Sequence, residues 1–381
     1  MKIGIDISQT AFPGSGVARY THALVRSLLQ INTKHEFIFF YSSLRQKPPQ
    51  DLISLIKPPH TFKRFYFPPT LLSQLWNDLH IIPIEQFIGP VDLFISSDWV
   101  QPPTRHAKTL TIIHDLVMYV HPETSTQKVT FDLKKVQIRA NIVDTHKRRL
   151  HWVKKDIDSI IADSKSTKKD IETHLGIQKD RIHVVYPAVH MPKPFLNQKS
   201  LNEKYDLHKP YILTVGKLEP RKNIPMLIKA FIASGLSDKT DLVIVGAHGW
   251  GDLELNVPDD IKESIVFLGY VPDDDLSSLY TYAELFVYPS IYEGFGYPVI
   301  EAMLTGAPVA TSTSSSTGEL AQDYAHTFDP HDMHSISQVL VSLMTDSTLR
   351  GKYVKKAQLF AQSFTSEKFG RDVLKIIESL S

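Results

Sequence analysis

Two glutamates, Glu293 and Glu301, bracket a turn built from glycine. The stretch YPSIYEGFGYPVIEAM, residues 288–303, sets them eight positions apart, with Gly294, Phe295, Gly296 and Tyr297 between them. A carboxylate can hold a pair of sugar hydroxyls. Two carboxylates so spaced can hold two such pairs, one on a sugar and one on a ribose, at opposite ends of an elongated ligand. The bare N–H groups of a glycine turn that opens a helix suit an anion between those ends. A capped helix with surface carboxylates would explain Pro298 in its first turn. It would explain neither the glycine pair nor Glu293.

A second cluster, VGKLEPRKNI, places Lys217, Glu219, Arg221 and Lys222 within six residues, with Asn223 opening a helix. Cations at a helix N-terminus work against its positive end unless an anion is expected there. The cluster therefore reads as a diphosphate site, against the alternative of a solvated loop with weak internal ion pairs. In AFPGSGVARY, Gly14 and Gly16 lead from a strand into a helix, an arrangement that suits phosphate or else a flexible turn with its N-cap. A dinucleotide fingerprint would need a third glycine where Arg19 stands, and no glycine–lysine–serine/threonine ending marks a P-loop. In TIIHDL, His114 can hydrogen-bond a sugar hydroxyl or phosphate oxygen, and Asp115 can orient it or cap the next turn. Gly246 in LVIVGAHGWG permits close backbone approach, and Tyr270-Val271 in FLGYVPDDDL can pack on a planar base. The run Asp273–Asp275 reads as an N-cap with first-turn charge rather than a metal site.

These loops need strands to hold them. KIGIDI, EFIFFYS, DLFISS, TLTIIHDL and SIIADS are strand candidates in the first half, and YILTVG, DLVIVGA, SIVFLGY, LFVYPS and APVATS in the second. Several are continuously apolar, as parallel strands covered on both faces are. Helix-period segments alternate with them; one is 17–31, where Val17, Tyr20, Leu24, Leu28 and Ile31 share a face. The alternation predicts two doubly wound parallel sheets of five strands, joined near YPAVHMPKPFLNQKS, residues 186–200. Every chemical loop above follows a strand, where open α/β sheets bind ligands.

The chain has 381 residues, enough for two domains, with 42% hydrophobic and 22% charged residues, a soluble balance. A net charge of +1 gives no global pull toward nucleic acid, and no nucleic-acid motif accompanies the local charge. No cysteine is present, which excludes disulfides and thiolate metal sites. The start is strand-like, without a signal-peptide run, and no stretch approaches the roughly 20 apolar residues of a membrane span. A cytoplasmic location is expected.

EGFGYPVIEAMLTGAPVATS, with EPRKN, HDL and the amino-terminal GSG loop in matching order, resembles the signatures of family 4 retaining glycosyltransferases. The resemblance runs over essentially the whole chain. It implies a GT-B architecture of two Rossmann-like domains facing an interdomain cleft. The domains are expected at 1–187 (acceptor) and 204–364 (donor), with a linker at 188–203 and a helix at 365–381 crossing back to the first. By similarity Glu301 binds ribose and Glu293 the donor sugar. Arg221 and Lys222 hold the diphosphate, His114 sits beside the transferred sugar, and Gly16 approaches the phosphates. Many relatives carry an arginine near the position of Lys217. LEPRKN looks most like mannosyltransferases using GDP-mannose, with UDP-sugars as the other donor class. The implied chemistry is metal-independent, same-face transfer of a hexose to a glycan or lipid-linked saccharide, with no cofactor beyond the nucleotide-sugar. The alternatives are an epimerase or hydrolase of the same fold, or a non-catalytic sugar-nucleotide-binding subunit. The basic segment 134–155 holds Lys134, Lys135, Arg139, Lys147, Arg148, Arg149, Lys154 and Lys155. It reads either as a peripheral contact with the inner membrane face or as a solvated helix face.

Overall fold

The computed structural model describes the chain except residues 32–33, 126–141, 248, 250–254 and 256. It divides into two compact units. The first comprises Met1–Val120, Thr130–Ala188 and Phe364–Ser381, and the second His121–Val129 and Val189–Ser363.

The first unit holds a seven-stranded sheet of β1 (Lys2–Asp6), β2 (Glu36–Ser42), β3 (Thr61–Phe65), β4 (Leu93–Ser96), β5 (Lys108–Ile113), β6 (Ser159–Ala162) and β7 (Ile182–Val184), in the order β3-β2-β1-β4-β5-β6-β7. All pairings are parallel, with Lys2 opposite Glu36 and Ile3 opposite Leu93. Strand β2 shows why both faces are covered. Phe37 and Phe39 join one core cluster, while Ile38 and Phe40 join another across the sheet. On the first of these faces lies the helix Gly16–Gln30, whose N-cap Ser15 Oγ accepts from the Ala18 amide at 3.2 Å. Beside it packs Ser366–Ser379, burying Phe369, Val373 and Ile377 with Leu24 and Leu28.

The second unit holds β8 (Tyr211–Val215), β9 (Asp241–Val245), β10 (Ile265–Gly269), β11 (Leu285–Tyr288), β12 (Val309–Ser312) and β13 (His326–Phe328), in the order β10-β9-β8-β11-β12-β13, again all parallel. Its core gathers Leu227, Phe231, Leu242, Ile244, Val287 and Ile336. Part of the stretch read as linker is structured here: Gln198–Tyr205 is a helix of this unit with Leu201 buried.

Each sheet therefore has seven or six strands where five were expected, and β3, β7 and β13 are additional. All three are edge strands. In each sheet the strand order reverses beside the first strand, between β1 and β4 and between β8 and β11. Loops leaving the carboxyl ends of those strands line the crevice where such sheets bind ligands.

Candidate active site

The loops after β8 and β11 are stitched together before any charge is considered. After β8, a short 3₁₀ turn Pro220–Lys222 runs into Asn223, in the left-handed region at φ 59°. Asparagine tolerates that conformation better than most residues. Its side chain does not cap the following helix Ile224–Ser234. Instead its amide donates to the carbonyls of Pro289 (3.2 Å) and Pro330 (2.7 Å). The Ile291 amide donates to the Arg221 carbonyl at 2.9 Å.

This stitching brings Glu293 against both cations. Its Oε2 accepts from Arg221 Nη1 at 2.7 Å. Its Oε1 accepts from Lys222 Nζ at 2.5 Å, Ser290 Oγ at 2.7 Å and the Tyr288 hydroxyl at 3.0 Å. Lys222 also donates to the Tyr288 hydroxyl at 2.6 Å, and Arg221 Nε donates to Glu219 at 3.2 Å. Glu293 and Lys222 are both buried. Burial alone would raise the Glu293 carboxyl, but Arg221 and Lys222 more than offset it and hold it down at about 2. Burial, then the Arg221 charge, pulls the Lys222 ammonium below its usual range despite Glu293. Burial and the Glu293 charge push the Tyr288 phenol well up, so it stays protonated as a donor.

The sequence reading set Glu293 at one end of a ligand and the cations at its middle. The structure joins them in one buried network. Glu293 is also held through its backbone: its amide donates to Ser315 Oγ at 2.9 Å, and its carbonyl accepts from Ser316 Oγ at 2.8 Å. The polar stretch 312–318 is thus a clamp on the glutamate. Glu301 lies on the helix Tyr297–Thr305, 1% exposed, and accepts from the Tyr280 hydroxyl at 3.0 Å. The turn before it needs Gly296, whose φ is 101°. Gly294 and Phe295 are buried in that turn, and the Phe295 and Tyr297 rings meet edge-on at 5.2 Å.

The other second-unit candidates separate. Lys217 is exposed, and Tyr270 is 74% exposed beside buried Val271. Gly246 is a packing glycine: a Cβ there would lie 2.0 Å from the Gly216 carbonyl oxygen. The absence of a side chain at Gly246 is therefore explained by the chain itself, without a ligand. Asp273–Asp275 open the helix Asp273–Tyr282, but none caps it. Asp275 instead accepts from Lys204 (2.6 Å) and the Tyr205 hydroxyl (2.7 Å).

In the first unit, His114 follows β5 and its Nδ1 pairs with Asp163 Oδ2 at 2.7 Å. Asp163 follows β6, the neighbouring strand. Asp115 does not orient the histidine; it accepts from the Val117 amide at 3.0 Å and caps the turn. Burial acts to lower the His114 imidazole, but Asp163, with the charges of Asp98 and Asp115, raises it overall. The Asp163 carboxyl is raised too, by burial first. The Tyr20 ring, from the helix after the glycine loop, meets His114 edge-on at 4.7 Å. Gly14 has a φ of 82°, whereas a Cβ on Gly16 would meet nothing within 4 Å. Open space surrounds Gly16.

The basic segment is described from residue 142 on; Lys134, Lys135 and Arg139 lie outside the described residues. In the helix Ile142–Asp156, Arg149 is not a surface charge. It is fully buried, donating to Asp98 (3.1 Å), Thr111 Oγ1 (2.6 Å) and the carbonyls of Ser97 (3.1 Å) and Ile112 (3.0 Å). Arg148 pairs with Asp78, and Trp152 stacks on His80 at 3.8 Å. Lys147, Lys154 and Lys155 stay exposed. Among the described residues no three carboxylate or imidazole groups converge as a metal set, and no helix is long and apolar enough to cross a membrane.

Residues 14–191 match the model for Glycosyltransferase Family 4, and residues 197–370 that for Glycosyl transferases group 1. The chain is 30% identical to the O-antigen chain mannosyltransferase B of Escherichia coli over 367 residues, 91% of this chain and 92% of that protein. The chain belongs to glycosyltransferase family 4. Another relative is the O-antigen chain mannosyltransferase RfbU of Salmonella typhimurium, 32% identical over 61% of this chain and 60% of RfbU. Among solved structures, Anabaena Alr3699/HepE in complex with UDP and glucose superposes with a TM-score of 0.67 at 15% identity, covering 100% of both chains. That likeness, shared with other GT-B glycosyltransferases, shows the fold.

In this glycosyltransferase the GSG, EPRKN and EGFGYPVIEAM motifs follow β1, β8 and β11, strands at the order reversals, while HDL follows β5. Five participants had no local signal: Asp163, Tyr288, Ser290, Ser315 and Ser316. Tyr288 and Ser290 sit inside the motif, but nothing in their spacing announces a bond to Glu293. Asp163 ends SIIADS, and only the pairing of β5 with β6 brings it to His114.

Proposed function

We propose that the protein is a retaining mannosyltransferase, moving mannose from GDP-mannose to a glycan or lipid-linked saccharide in polysaccharide assembly. The observation that carries this reading is the buried network in which Arg221 and Lys222 share the Glu293 carboxylate at the carboxyl edge of β8 and β11. The mannosyl specificity rests on the similarity to two O-antigen mannosyltransferases. Glu293 and Glu219 balance the charges of Arg221 and Lys222, and a diphosphate binds by competing with these carboxylates for the two cations. A phosphate draws Lys222 and Arg221 toward itself and releases carboxylate lone pairs on Glu293 for sugar hydroxyls. Glu301 takes the ribose hydroxyls. In the first unit, His114, fixed by Asp163, serves the transferred sugar.

In the transfer step the C1–oxygen bond to the diphosphate breaks. The acceptor oxygen bonds C1 on the same face, and its proton passes to the departing phosphate oxygen. Preorganised cations at that leaving group are worth about 10²–10³ in rate, so no metal or cofactor is required. The protein acts in the cytoplasm, at the inner membrane face where its acceptor is lipid-linked.

The purified protein, incubated with GDP-mannose and a panel of UDP-sugars with EDTA present, tests this. Mannose transfer from GDP-mannose is expected, accelerated by saccharide acceptors, with the donor's anomeric configuration kept in the product by NMR. Lys222→Ala should lower turnover about 100-fold. Glu301→Ala should raise the donor KM about tenfold, the loss of a hydrogen-bond pair. Inversion at C1, preference for UDP-sugars, or a changed sugar still attached to its nucleotide would each defeat it.

A further inference from the structure

Strands β1 and β4 lie side by side at the strand-order reversal of the first sheet, Ile5 opposite Ile95. Whatever follows them emerges together at the carboxyl edge. After β1 comes the turn Ser8–Ala11 and then Phe12; after β4 come Ser97, Asp98 and Trp99. The Phe12 and Trp99 rings meet edge to face, 4.8 Å apart at 64°. Phe12 is 42% exposed and Trp99 partly exposed. Two large aromatic side chains kept in contact with solvent at a ligand-binding edge ask for a reason.

The backbone around them is fixed. The Trp99 carbonyl accepts from Asn77 Nδ2 at 2.9 Å, and Asn77 Oδ1 accepts from the Gln101 amide at 3.0 Å. Buried Arg149 holds the Ser97 carbonyl at 3.1 Å and the Asp98 carboxylate at 3.1 Å. On the other loop, the Phe12 carbonyl accepts from Ser15 Oγ at 3.1 Å. Gly14 and Gly16 follow, and a Cβ on either would meet nothing within 4 Å. The result is an apolar platform with an anchored carboxylate one residue from Trp99, beside an exposed glycine loop.

The geometry points to a saccharide subsite in the first unit, in which a pyranose of the acceptor stacks on Trp99 and Phe12 while Asp98 accepts its hydroxyls. A pyranose has one face of C–H groups, which suits an aromatic ring with its negative face, and an equator of hydroxyls, which suits a fixed carboxylate. An alkyl chain would use the rings but bury Asp98 against hydrocarbon, at a cost. A bare diphosphate would meet the Asp98 carboxylate, one residue from Trp99, and be repelled by it. The site thus selects the sugar end of an acceptor. This inference rests on the transferase reading above.

The test uses the full chain with GDP-mannose as donor and methyl α-mannoside and short α-mannosyl oligosaccharides as acceptors. Trp99→Ala should raise the acceptor KM at least tenfold and Phe12→Ala several-fold, with donor KM and kcat within twofold. Trp99→Phe should restore most of the loss. Saturation-transfer NMR with the same sugars should show contact in the wild type and none in Trp99→Ala. Acceptor KM unchanged in both alanine variants, no saturation transfer to the wild type, or donor KM rising in step with acceptor KM would each overturn the subsite. So would equal use of a sugar-free polyprenyl diphosphate by wild type and Trp99→Ala. If GDP-mannose itself fails to bind, the donor reading falls instead, and the NMR arm still decides the subsite.

Discussion

Glu293 shows what single residues can and cannot reveal in a sequence. Its type, and its place beside a glycine turn, mark it as chemical. Its partners Arg221 and Lys222 lie 72 and 71 positions earlier, and no local pattern encodes a pair at that separation. The same holds for His114 and Asp163, 49 apart; of the two roles open to the adjacent Asp115, orienting the histidine or capping the next turn, it takes the second. The pairing has a measurable consequence. The Glu293 carboxyl falls from the usual 4.5 to about 2 in the folded protein. A depressed carboxyl contributes stability that is present above 4.5 and is lost as pH falls through about 2. The magnitude is about 3 kcal/mol, from about 1.4 kcal/mol per tenfold. Glu293→Gln should therefore be less stable at pH 7 by about 3–5 kcal/mol, since it also leaves Lys222 buried without its counter-charge. Its stability should also decline less steeply than the wild type's between pH 5 and 2. Guanidinium unfolding across that range reads both, and identical pH slopes in the two proteins would contradict the pairing.

Elements were legible where burial is two-sided. The ten expected strands, several of them continuous apolar runs, are all present. The three additional ones, TFKRF, IHV and HTF, are edge strands, short and half-solvated, so no apolar run marks them. The helix Ile142–Asp156 misled for the opposite reason. Its many cations read as one basic face, but helical spacing turns Arg149 inward with Leu150 and Val153 while Lys154 and Lys155 stay out. Arg149 anchors the helix to the loop after β4 and to β5, because only a guanidinium fork reaches Asp98, Thr111 and two carbonyls at once. Arg149→Met should cost about 3–5 kcal/mol by stranding Asp98. Arg149→Lys should recover only part of that, while Lys154→Glu should stay within about 0.5 kcal/mol of wild type. Urea midpoints for the three variants, at constant m-value, check the ordering. Equal effects of Arg149→Met and Lys154→Glu would return Arg149 to the surface.

At the scale of the whole chain, strand–helix alternation told of two doubly wound sheets, because that rhythm is repeated ten times. It could not say where the last helix packs, since an amphipathic face fits any apolar partner. The structure assigns Ser366–Ser379 to the first unit, although the second unit immediately precedes it in sequence. The fit is close: a Cβ on Gly370 would lie 2.9 Å from the Ser27 carbonyl oxygen and 2.6 Å from Ile31. Phe369, Val373, Leu374, Ile376 and Ile377 are buried in the first unit's core. At about 1.5–3 kcal/mol each, an upper estimate because unfolded chains bury some surface already, these five side chains rival the whole stability of an ordinary domain, about 5–15 kcal/mol. A chain ending at Ser363 should therefore keep the second unit folded and lose the first. Hydrogen exchange read by mass spectrometry should show β8–β13 protected as in the full chain and β1–β7 exchanging freely. Adding a synthetic peptide of residues 364–381 should restore protection to β1 and β2 first, the strands whose side chains share that core. Undiminished protection of β1–β7 in the shortened chain would mean that the first unit closes its core without the helix, and that its packing there is incidental.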